Sequence, residues 1–130
     1  MNFREIAVSG FLAAVLVASS TGAGRAEGEK TATVTGYVVD SACVFVRNVK
    51  KPLKGGQCAL ECAKAGSPLV ILAHDGTIYW PISDAMPATG QNPRLMEFAG
   101  QQVAARGKVF ERGGSHALVI ETIGLAPERK

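Results

Sequence analysis

Two pairs of adjacent turn residues, Asp75-Gly76 and Gly113-Gly114, constrain this chain's folding more than any other feature. Each pair stands between two apolar, β-branched runs, and such a pair in that setting closes a tight hairpin. The first joins "PLVILAH" to "TIYWPI"; the second joins "QQVAARGKVFER" to "SHALVIETIGL". In the arm before the second turn, Val103, Ala105, Gly107 and Val109 alternate with Gln102, Arg106 and Lys108. That alternation predicts a strand with one face buried.

A further strand is expected over Thr31–Asp40, "TATVTGYVVD". Gly36 in its middle marks a bend or bulge, the device that lets one strand serve both sides of a small barrel. A short helix is expected over Gln57–Ala65, stopped by Gly66 with Pro68 beyond it. Another is expected in "NPRLMEFAG", with Asn92 as N-cap, Pro93 as first helical residue and Gly100 past the last turn. It offers Leu95, Met96 and Phe98 or Ala99 to the core. The resulting order is strand, helix, strand, strand, helix, strand, strand. It predicts a mainly β fold, a small five-stranded OB-like barrel of the partly open Greek-key kind. A short cysteine-bearing helix lies between strands 1 and 2, and a second short helix between strands 3 and 4.

The chain begins "MNFREIAVSGFLAAVLVASSTGAGRAEGEK". Arg4, an apolar run from Ile6 to Ala18 and a tail of small residues have the layout of a secretory signal peptide, with cleavage expected after Ala26. The run is shorter than the roughly 20 residues of a membrane span, so no stable span is expected after cleavage. Residues 27–130 then form a single OB-like domain, periplasmic or secreted. Without the signal, 12 basic and 10 acidic residues remain, a net charge of +2. That is too small to argue for nucleic acid as a partner. Another exported protein or an anionic ligand is the expected partner.

Three cysteines matter most: Cys43 in "DSACVF", and Cys58 and Cys62 in "QCALECAKAG". At 3.6 residues per turn, Cys58 and Cys62 lie about 40° apart on the helix. With Ala65 beside Cys58, and Glu61 and Lys64 on the opposite arc, both thiols are expected to point at the barrel. In an oxidising compartment, a disulfide of Cys43 with Cys58 or with Cys62 is one outcome. It would contribute about 3 kcal/mol by closing a loop of about 15 residues, and one thiol would remain. A Cys58–Cys62 bridge is poor, because both side chains lean along one helix.

The same three sulfurs also suit a soft metal: copper as Cu(I) with sulfurs alone, or zinc with an added imidazole. His74, His116 and Asp40 are the candidate fourth ligands, although each histidine also reads as an ordinary hairpin-turn residue. A third reading is thiol-redox chemistry. Arg47, Lys50, Lys51 and Lys54 form a basic loop with no acid between Asp40 and Glu61, and positive charge lowers a nearby thiol's pKa. The loop equally offers a surface for an anion or an acidic partner.

No triad with a nucleophile elbow, Cys-x-x-Cys motif or phosphate-binding loop is present. Tyr79, Trp80 and Phe110 can stack a ligand but read first as strand packing. No catalytic residue is therefore assigned. The leading expectation is a non-catalytic exported binding or interaction module stabilised by its cysteine cluster. A periplasmic copper- or zinc-binding protein and a thiol-redox protein are the alternatives.

With "VTGYVVDSAC", "CALECAKAGSPLVIL" and "DGTIYW" in view, the chain resembles a loosely defined group of small exported bacterial proteins. That group looks like OB-type barrels with the pattern Gly-x-Val-Val-Asp-x-x-Cys, then Cys-Ala-x-x-Cys, a glycine and an apolar strand. The matching residues are Gly36, Val38, Val39, Asp40, Cys43, Cys58, Ala59, Cys62 and Gly66. The likeness covers nearly all of residues 33–124. Members often carry a histidine shortly before the second cysteine, where this chain reads "PLKGGQC". The resemblance implies the fold and the position of the site, not its chemistry.

Overall fold

The computed structural model describes residues 29–127. The expected signal peptide and its cleavage point lie outside the described residues. The five strands are β1 (Glu29–Asp40), β2 (Leu69–Ala73), β3 (Ile78–Pro81), β4 (Gln102–Arg112) and β5 (Ser115–Leu125). Three short α-helices accompany them: α1 (Ser41–Arg47), α2 (Gln57–Lys64) and α3 (Asn92–Leu95), with 3-10 turns at Lys54–Gly56 and Met96–Phe98.

The strands close into a barrel in the order β1-β2-β3-β5-β4, and β4 returns to β1. Neighbours are antiparallel except for β3 and β5, which run parallel. β1 makes closure possible. Its first part pairs with β4 and its last part with β2, and Gly36 and Tyr37 belong to both ladders. A Cβ at Gly36 would collide with the Leu72 backbone, so glycine is what allows the strand to bend across that changeover.

Strand alternation then sorts the side chains. Val34, Val38, Ile71, Val103, Val109 and Leu118 point inward, and Ala59 and Ala63 of α2 with Leu95 of α3 close the core. Burial of each large aliphatic side chain contributes about 1.5–3 kcal/mol. A second, smaller cluster lies outside the barrel wall. There Val44 of α1 covers Val39, Val70 and Leu72, with Tyr37, Ile78 and Trp80 at its edge.

Four details depart from the sequence expectation. α1 forms where the sequence pattern assigns no element; its one buried apolar residue is Val44, and β-branched Val44 and Val46 conceal the helix. The segment expected as one helix in 92–99 is a single α-turn followed by a 3-10 turn, with Gln91 and not Asn92 at the N-cap. Asn92 spends its side chain on tertiary bonds instead. Gln102, expected on the wet face of its strand, is 4% exposed, and its amide donates to the Pro127 carbonyl at 2.9 Å. Finally, the wheel of α2 is rotated from expectation. Ala59 and Ala63 enter the core, while Cys58 and Cys62 are only half-buried. Small alanines let α2 sit close on the barrel end, and this turns the thiols sideways. Among the described residues, no helix is long and apolar enough to cross a membrane.

Candidate functional site

Turned sideways, the thiols of α2 meet α1. The Sγ atoms of Cys43, Cys58 and Cys62 all lie within 4.8 Å of one another, and each residue is half-buried. All three are free cysteines. Two helices from the single connection between β1 and β2 thus converge their sulfurs on one point.

Asp40 organises this convergence. It is the last residue of β1, 2% exposed, and its Oδ1 accepts from the Cys43 backbone N–H at 2.9 Å as the N-cap of α1. Its Oδ2 accepts from the Ser67 hydroxyl. With both oxygens engaged, Asp40 acts as a brace for the sulfurs. On the far side, Asn92 ties down the end of α2. Its Nδ2 donates to the carbonyls of Ser67 (2.7 Å) and Ala63 (3.4 Å), and its Oδ1 accepts from Leu69 N–H at 2.9 Å. The start of α2 is set by Gly56, at φ +93°, packed directly against Gly100, at φ +73°.

Beside the sulfurs, Val39, Val49, Pro52 and Leu53 join Cys43 and Cys58 in lining a crevice of about 10 Å³. That space is of the order of one water, so no organic ligand fits there. Burial, followed by the hydrogen bonds and charge of Asp40 and Cys58, pushes the Cys43 thiol up to about 12. Cys62 is also raised, by burial first and then by the charge of Asp40. The basic loop was expected to lower a thiol's pKa; at Cys43 and Cys62 burial and a carboxylate outweigh it.

Among the described residues, the group of converging ligand atoms consists of the three sulfurs alone. His74 instead packs edge-on against Tyr37 at 5.7 Å, and His116 packs against Tyr79 at 5.6 Å and lies 3.6 Å from Glu111. Of the basic loop, Lys50 and Lys51 line a separate pocket with Tyr37 and His74. Arg47 ends α1, and Lys54 opens the 3-10 turn before α2. Ser67 and Asn92 carry no signal in the sequence as site residues; 27 positions separate Ser67 from Asp40, and only closure of the barrel brings them together.

Comparison with models of protein families, with curated proteins and with solved structures finds no match.

Proposed function

We propose that this chain is an exported, OB-like barrel that binds a soft metal ion, Cu(I), through Cys43, Cys58 and Cys62. The observation that carries the reading is the mutual approach of three free sulfurs to within 4.8 Å. Thiolates about 2.3 Å from a common metal in a trigonal plane lie about 4 Å apart, so a contraction of under 1 Å suffices. Cu(I) accepts sulfur ligands alone, whereas a zinc site of this kind would need a fourth ligand from solvent or a partner. The strand order and the parallel β3–β5 pair support the OB-like label.

The same proximity supports a second reading, in which Cys43 is oxidised to a disulfide with Cys58 or Cys62. The domain is then an interaction module with one spare thiol. A thiol-redox role draws no support from the raised Cys43 and Cys62 thiols, since the thiolate is the nucleophile.

Anaerobic titration of the reduced protein with Cu(I), followed by sulfur-to-copper charge-transfer absorption, tests the proposal. One equivalent should bind, and each Cys→Ser variant should lose that stoichiometric band. Absence of the band in the reduced wild-type protein overturns the metal reading. Counting free thiols in protein taken directly from the exporting cell identifies the alternative: one free thiol per chain is its signature.

A further inference from the structure

We propose that the pocket between the 48–53 loop and the β2–β3 hairpin is a second binding site, for a doubly charged oxyanion. Its ligand is a phosphate group, free or esterified to a small apolar molecule. The pocket has a volume of about 200 Å³, and Lys50, Lys51, His74 and Tyr37 stand over a floor of Leu72 and Ala73. Two ammonium groups, an imidazole and a phenol are all hydrogen-bond donors, and among the described residues no carboxylate lines the cavity. Asp75, the residue after His74, has its carboxylate turned into its own hairpin, where Oδ1 accepts from Thr77 N–H at 2.9 Å. Among the described residues, neither lysine has an ion-pair partner. The two cations are therefore uncompensated.

A dianion relieves that repulsion and offers acceptors to several donors at once, which a planar monoanion does less well. Phosphate near neutral pH carries the required charge. The T-shaped contact of Tyr37 with His74 holds the imidazole at the rim, 74° between ring planes. The half-buried Ala73 and the ring of Tyr37 give an attached apolar group a surface to cover. The site shares no residue with the sulfur cluster. Val49, one residue before Lys50, is buried and faces the cysteine crevice, so the loop presents opposite sides to the two sites. The inference stands apart from the metal reading.

The test is an NMR titration of the purified protein with inorganic phosphate and with phenyl phosphate at constant ionic strength. Saturable shifts centred on Lys50, Lys51 and His74 are expected. The double variant K50A/K51A and the variant H74A should each weaken binding about tenfold. K54A removes a charge from the adjoining 3-10 turn, outside the pocket, and should leave binding within twofold of the wild type. All these side chains are exposed, and unchanged amide shifts elsewhere verify each variant's fold. Tighter binding of phenyl phosphate identifies an esterified ligand; equal binding identifies the free ion. Linear, unsaturated shifts with both probes up to the order of 10 mM overturn the proposal. So does a K54A variant weakened as much as K50A/K51A, because that outcome reports general charge and not a site.

Discussion

The Ser67 hydroxyl donates to the carboxylate of Asp40, linking the short segment between α2 and β2 to the residue just before α1. The adjacent backbone joins in, with Ser41 N–H donating to the Pro68 carbonyl at 3.0 Å. Both cysteine-bearing helices are thus anchored to one buried carboxylate. Asp40→Ala removes the N-cap of α1 and leaves the Ser67 hydroxyl without its acceptor. The expected loss is about 1–3 kcal/mol in urea unfolding. Cu(I) affinity, measured by chelator competition, should fall as well. Asp40→Asn keeps one acceptor oxygen and should cost less on both counts. Undiminished Cu(I) affinity in the folded Asp40→Ala protein would remove Asp40 from its positioning role.

Such tertiary bonds explain which parts of the site were legible in the sequence. Turn chemistry at Asp75-Gly76 and Gly113-Gly114 and the alternation around Val103–Val109 write strands directly into the chain. Those strands and the helix over 57–64 stand where the local pattern puts them. The orientation of α2 was not legible. A helical wheel places Cys58, Cys62 and Ala65 on one arc, yet close approach to the barrel favours the smaller Ala59 and Ala63 there. That choice is made by packing space, which no local pattern records. Asn92 follows the same logic: its sequence context is that of a cap, while its three partners come from residues 63–69.

Loss of Asn92 should accordingly act on α2 and β2 together. Asn92→Ala leaves the Leu69 N–H and two carbonyls without their side-chain partner. A destabilisation of about 2–3 kcal/mol is expected by urea unfolding. Amide exchange should quicken first at Leu69 and at the end of α2. Exchange unchanged at these positions would show that the bonds do not hold the segment.

The contact of Gly56 with Gly100 predicts a sharper effect. Both have positive φ, and a Cβ on either would strike the backbone of the opposite segment. Gly56→Ala and Gly100→Ala combine a left-handed conformation with overpacking, so each should cost about 2–4 kcal/mol. Gly55, also at positive φ, has open space around its Cβ position and should cost less on substitution. Equal losses at Gly55 and Gly56 would mean that backbone conformation alone, not the contact, is responsible.

The raised Cys43 thiol gives a pH dependence of definite sign. Its pKa rises from 9.0 to about 12 on folding, so the folded state holds this proton more tightly than the unfolded chain. The associated stability is fully present below pH 9.0 and is lost as pH climbs toward about 12. Urea midpoints should therefore drop over that window, and Cys43→Ser should drop less. Metal binding has the opposite slope below the window. Thiols must shed protons to bind Cu(I), so apparent affinity rises with pH and each ion bound releases protons to the buffer. A stability profile identical in wild type and Cys43→Ser would contradict the assigned shift.

Trp80 is the chain's sole tryptophan, and it provides a direct view of the helix that carries Cys43. Phe45 of α1 stacks on its indole at a centroid distance of 6.1 Å and an interplanar angle of 21°. Phe45→Ala should shift Trp80 emission to the red by admitting water, at a cost of about 0.5–1.5 kcal/mol. Because Phe45 and Cys43 share one short helix, drawing the three sulfurs onto an ion should move α1 against β3 and change the emission stoichiometrically. Cys58→Ser retains the stack but lacks one sulfur, so its emission should respond weakly to Cu(I). A full wild-type response in Cys58→Ser would show that copper reaches Trp80 by some route other than the cysteine cluster.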